Sequence, residues 1–116
     1  QIKVVKFGGS SLADAAQFQK CADIVKAEST RRYAVPSAPG KRNSADTKVT
    51  DMLFQCFALQ KKSPEQAIEY FGRIKERFDG IIRELGLDFS LEEEYAIICD
   101  KLENGLTEEY LVSRGE

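Results

Sequence analysis

The string KFGGSS, Lys6 to Ser11, sets a lysine, two glycines and two serines directly behind a run of apolar, mostly β-branched residues. Each of these residue types has a use beside an anion. Glycines let backbone come close to a ligand, serines bring hydroxyls with little bulk, and a cation at the end of a buried strand needs a negative partner. A helix N-terminus adds positive potential at the same spot. Lys6, Gly8, Gly9 and Ser10 therefore read as a phosphate cradle. Without the lysine, the string would be a plain strand-to-helix turn with Ser11 as the helix cap. A second polar cluster, SAPGKRNSADTK from Ser37 to Lys48, leads into Thr50 and Asp51. It is not a Walker loop: no glycine stands five positions before Gly40, and Arg42 replaces the required Ser or Thr. A third cluster is Ser113-Arg114-Gly115-Glu116. Thr50 by itself is an ordinary first-turn helix residue, and Glu116 by itself a solvated charge.

What the chain lacks narrows the chemistry further. Its 116 residues contain no histidine, so within this stretch His-based triads, His general bases and His metal ligands are excluded. Cys21, Cys56 and Cys99 are few, odd in number and far apart, unlike the close pairs of zinc knuckles and redox motifs. Each falls on an apolar helical face and reads as a reduced core residue of a cytoplasmic protein. With 42% hydrophobic residues, 31% charged residues and a net charge of -2, there is no electrostatic case for nucleic acid or an anionic membrane as partner. Apolar runs are too short to span a bilayer, and a strand-like run directly after Gln1 leaves no room for a signal peptide. An enzyme built on this stretch works by positioning and charge.

The elements that must position these groups follow from periodicity. Ile2 to Phe7 predicts a strand, Leu12 to about Ser29 a helix with Phe18, Cys21, Ala22 and Val25 on one face, and Arg32 to Pro36 a second strand. Pro36 cannot donate to a ladder, so that strand finishes there or lies at an edge. Strand, helix, strand is by default a right-handed parallel unit, and both polar loops then open on the edge where parallel sheets bind ligands. Beyond Lys48 nearly everything is helical. Val49, Met52, Leu53, Cys56 and Phe57 form one stripe; Ala67, Phe71, Ile74, Phe78, Ile81 and Leu85 form another, on a helix starting at Pro64 with Ser63 as cap. A further helix is capped by Ser90 and ends at Asn104-Gly105, and a last one starts at Thr107. Residues 1–47 thus make a strand-helix-strand unit with its polar loop, and residues 48–116 a helical segment. Two strands are too few for a parallel sheet. The chain is expected to be the front part of a larger α/β domain, cut short in its last helix. Alone, it is expected to self-associate through open strand edges or the apolar face of the Pro64–Leu85 helix.

Taken together and in this order, KFGGSS after a strand, S-A-P-G followed by T-D-M-L, and a helix-borne S-R-G-E resemble the aspartate kinases of the amino-acid kinase family. The resemblance covers essentially the whole chain and is carried most strongly by KFGGSS. Pro36 departs from it, standing where the family has an aliphatic strand residue. The resemblance implies the N-terminal part of a three-layer α/β/α kinase domain, and a parent enzyme that is cytoplasmic and homo-oligomeric. The implied reaction moves the γ-phosphoryl of ATP, accompanied by Mg²⁺, to the side-chain carboxylate of L-aspartate, the first step toward lysine, threonine and methionine. Lys6, Gly8, Gly9 and Ser10 are implied on the ATP phosphates, with Lys6 catalytic. Thr50, Glu116 and Ser37 are implied on the aspartate, Glu116 facing its α-ammonium group. No metal ligand is implied within this stretch, and the piece alone is expected to be inactive. Two rivals stay open: a sibling kinase acting on another acid, and a non-catalytic helical module built on the Phe71–Phe78–Leu85 stripe.

Overall fold

The computed structural model describes residues 1–116. Strand β1 (Lys3–Phe7) leads through a short 3-10 turn (Gly9–Leu12) into helix α1 (Ala15–Ala27) and strand β2 (Arg31–Pro36). The rest is helical: α2 (Val49–Lys62), α3 (Pro64–Glu84), α4 (Glu92–Asn104) and α5 (Glu108–Gly115). The two strands pair in parallel, with Lys6 opposite Val35 and Phe7 opposite Pro36. Pro36 does end its strand, and the ladder closes one residue later where the Ser37 N–H donates to the Phe7 carbonyl at 3.1 Å.

Local chemistry sets the helix ends, with two corrections to the sequence expectation. The helix expected from Leu12 is broken: a 3-10 turn ends at Leu12, and α1 starts afresh with Asp14 as its cap, accepting from the Gln17 N–H at 3.0 Å. Asp14, not Ser11, is the capping residue, because its carboxylate reaches the free amides of the first turn. Helix α4 is capped at Leu91 instead of Ser90, whose hydroxyl still accepts from the Glu92 N–H at 3.1 Å. The other ends follow expectation. Ser63 accepts from the Gln66 N–H ahead of Pro64, and Thr107 from the Tyr110 N–H. After α3, Gly86 turns to φ 67°, and its N–H and that of Leu87 reach back to Arg83 and Ile82. That is a Schellman closure, which favours glycine at the left-handed position.

The core lies among the helices, not around the sheet. Helix α2 packs against α3 and α5, and α3 against α4. Leu53, Cys56, Ala67, Phe71, Ile74, Leu102 and Leu111 are buried together, with the Phe71 and Tyr95 rings edge-on at 6.1 Å. The α3 stripe is therefore largely spent inside the chain and is not an open face. Phe78 and Leu85 are its half-buried members, and the charged Arg77 occupies a buried place on it. The cysteines are free thiols; Cys21 and Cys56 are buried and Cys99 half-buried. Burial pushes the Cys56 thiol up to about 12.

The sheet, in contrast, is open. Val5 and Phe7 of β1 are half-buried, but Val4 and Lys6 on the opposite face are exposed, as is most of β2. The expectation of a buried strand is thus not met within this chain, because no further strand or helix covers that face. Val4 is 65% exposed and Tyr33 60% exposed, and both strands leave one edge unpaired. Such edges and apolar faces recruit another chain. The 116-residue chain alone is expected to self-associate through its sheet, which light scattering over a dilution series would detect. A monomer at every concentration would contradict this.

Candidate functional site

Both polar loops run at the C-terminal ends of the parallel strands, and they touch. The Gly40 N–H donates to the Gly9 carbonyl at 2.8 Å. The contact needs glycine at position 40, where a Cβ would stand 2.6 Å from the Gly9 carbonyl carbon and 2.9 Å from the Ser10 nitrogen; position 9 is tight, a Cβ there standing 3.1 Å from the Ala38 oxygen. Gly8 is different, with open space around the place of a Cβ. Crowding therefore explains Gly9 but not Gly8.

Between the loops lies a cleft of about 520 Å³, lined by Gly9, Ser10, Ser37, Ala38, Pro39, Gly40, Lys41, Lys48, Thr50 and Glu116. Five residues singled out from the sequence meet here: Gly9, Ser10, Ser37, Thr50 and Glu116. Lys6 and Gly8 do not line it; Lys6 stands exposed on β1 and Gly8 at the entry to the 3-10 turn. Lys41 and Lys48 line the cleft as well, though the sequence expectation gives them no role. The signal was present in the Gly40-Lys41 pair, set aside because it does not make a Walker loop. Thr50 is the second residue of α2, whose first amides receive no side-chain cap. The Val49 N–H is used by the Pro39 carbonyl at 3.0 Å, which fastens the loop to the helix start.

Glu116 reaches the cleft from the far end of the chain. Its Oε2 accepts from the Ala38 N–H at 3.0 Å across 78 residues of sequence. Helix α5 can come this close because residue 115 is glycine: a Cβ there would lie 2.7 Å from the buried Leu53 side chain and 3.5 Å from the Ala38 Cβ. The S-R-G-E motif thus joins a close approach to a carboxylate placed on the second loop.

The second loop is further held by two arginines. Arg42 pairs bidentately with Asp46, Nε to Oδ2 at 2.6 Å and Nη2 to Oδ1 at 2.9 Å, while its own N–H adds a bond to Oδ2. Hydrogen bonding from Arg42 holds the Asp46 carboxyl well below the usual carboxylate range. Arg77, on α3, donates to the carbonyls of Thr47, Ala13 and Gly40. Two lysines and small hydroxyl groups share the cleft with one carboxylate, so it suits a ligand with anionic groups and a cation. No three His, Cys, Asp or Glu side chains converge on a metal-sized site in this chain.

No family model matches the chain. In sequence it is 46% identical over 93 residues to Aspartokinase 3 of Bacillus subtilis (strain 168), covering 80% of this chain and 20% of that protein. In fold it matches Clostridium acetobutylicum aspartate kinase at a TM-score of 0.87 and 38% identity, over 97% of this chain and 26% of that one. The E. coli aspartokinase III complex with aspartate and ADP matches at a TM-score of 0.70 and 26% identity, over 100% of this chain and 26% of its own. The chain therefore spans about a fifth to a quarter of the length of the proteins it resembles.

The Gly9–Gly40 contact gives a direct test. Gly40→Ala sets its new methyl against backbone, which cannot move aside, and is expected to destabilise the chain by about 1–3 kcal/mol. A chemical denaturation midpoint equal to that of the unaltered chain would show that the loops do not meet this closely.

Proposed function

We propose, for a chain whose sequence and fold are those of a segment of the aspartate kinases, that the protein carrying it phosphorylates the side-chain carboxylate of L-aspartate. The γ-phosphoryl group of ATP passes to a carboxylate oxygen, the bond to the β-phosphate oxygen breaks, and aspartyl phosphate and ADP result. The observation that carries this is the meeting of Gly9, Ser10, Ser37, Thr50 and Glu116 on one cleft. Support comes also from the aspartate and ADP held by the E. coli relative.

A carboxylate is already a nucleophile, so the step needs no general base, and the absence of histidine is no obstacle. Phosphoryl transfer of this kind is a matter of alignment and charge. In this scheme Lys6, Gly8, Gly9 and Ser10 attend the ATP phosphates. The open space at Gly8 admits a close approach, and Lys41 and Lys48 add positive charge to the cleft wall. Thr50 and Ser37 offer hydroxyls to the aspartate. With Glu116 Oε2 oriented by the Ala38 N–H, its other oxygen can accept from the substrate's ammonium group. Mg²⁺ bound with the nucleotide would neutralise phosphate charge. We place the residues as the N-terminal part of a catalytic domain in a cytoplasmic homo-oligomer, and expect the isolated chain to turn over no ATP. A sibling kinase acting on a carbamoyl acid would use the same cradle but not the Glu116 contact with an ammonium group, whereas one acting on another amino acid would keep both.

Steady-state kinetics on the complete protein carrying this chain test the assignment. Lys6→Ala is expected to lower kcat by about 100-fold or more with a smaller effect on aspartate binding; a kcat near normal would remove Lys6 from the phosphate site. Glu116→Gln is expected to raise the KM for aspartate far more than the KM for ATP. Equal changes in both would make Glu116 a tether for Ala38 and nothing more.

A further inference from the structure

Arg77 is a charged residue at a core position. It lies between Ile74 and Ile81 on the inner face of α3 and is only 8% exposed. Burying a guanidinium is costly unless its donors are used, and an apolar side chain of similar volume commonly serves stability as well or better. Here the donors are used, and on a particular set of groups. Nη1 donates to the Thr47 carbonyl at 2.9 Å, and Nη2 to the carbonyls of Ala13 at 2.9 Å and Gly40 at 2.8 Å. The Asp46 carboxylate stands 3.9 Å from Nη1.

None of these acceptors belongs to a helix or strand that Arg77 would be expected to support. Ala13 follows the 3-10 turn that carries Gly9 and Ser10, and Gly40 and Thr47 bracket the second loop beside Lys41 and Lys48. Arg77 itself does not line the cleft. We infer that Arg77 is a positioning residue for the cleft: its planar fork ties both cleft-forming loops to α3 and fixes their spacing. A lysine could not do this, since it presents a point charge on a flexible stem where arginine presents a rigid fork. The inference rests on the kinase reading only in its functional consequence; the tie between the loops stands apart from it.

The test uses Arg77→Lys and Arg77→Met in the complete protein carrying this chain, with two readouts. Amide hydrogen exchange in residues 38–48 is expected to rise by about tenfold or more, the loss of at least one charge-assisted hydrogen bond, while α4 keeps its protection. For Arg77→Met, kcat/KM for aspartate is expected to fall by about 100-fold, the scale of an ångström-sized misplacement of catalytic groups. Arg77→Lys is expected to recover only part of that loss. A folded variant in which either readout is unchanged overturns the inference. So does loss of protection throughout α3 and α4 in both variants, which would make Arg77 a general anchor of the fold. Unaltered protein that makes no aspartyl phosphate would refute the kinase reading instead, and the exchange measurement would then decide on Arg77 by itself.

Discussion

One hydrogen bond, from the Gly40 N–H to the Gly9 carbonyl, joins the two polar loops of this chain and defines the floor between them. Its own net contribution is only about 1 kcal/mol, too little to hold two loops against their conformational freedom. The contact persists because neighbouring constraints converge on it. The ladder continues past Pro36 through Ser37 to Phe7, the Val49 N–H ties Pro39 to the start of α2, and Arg77 clasps Ala13, Gly40 and Thr47. The missing Cβ at Gly40 makes the approach possible, and the arginine gives it direction.

The helical arm completes the same site from the other side. Leu53, Val49 and Leu111 are buried where α2 and α5 meet, and this packing brings Gly115 onto Leu53 and Glu116 onto Ala38. A carboxylate 78 residues from its hydrogen-bond partner is thus held by burial of apolar side chains and not by its own exposed charge. Lys41 and Lys48 bring positive charge to the cleft that Glu116 enters, so its walls carry both signs.

Much of this was legible in the residues. The Gly-Gly-Ser-Ser turn, the Thr50 helix start and the S-R-G-E end were identified as one constellation, and the structure brings members of all three to one cleft. Caps and stops such as Ser63, Thr107, Gly86 and Gly105 speak through short-range chemistry that a sequence displays openly. Arg77 was not legible, because apolar periodicity treats a charged residue on a core stripe as an interruption; its acceptors lie 30 to 64 residues away. Asp14 was missed because the apolar pattern runs through Leu12 and Ala13 without marking the break. The exposure of β1 was missed for a different reason. A strand's apolar character tells what it can bury and not whether a neighbour is at hand.

The most direct measurement offers the complete protein ATP and a panel of amino and carbamoyl acids, with hydroxylamine to trap any acyl phosphate as its hydroxamate. The proposed aspartate kinase activity, with Glu116 on the ammonium group and the Gly9–Ser10 turn on phosphate, predicts ATP-dependent hydroxamate from L-aspartate above every other acid in the panel. Hydroxamate formed from another acid in preference to aspartate, or from none, would contradict the account.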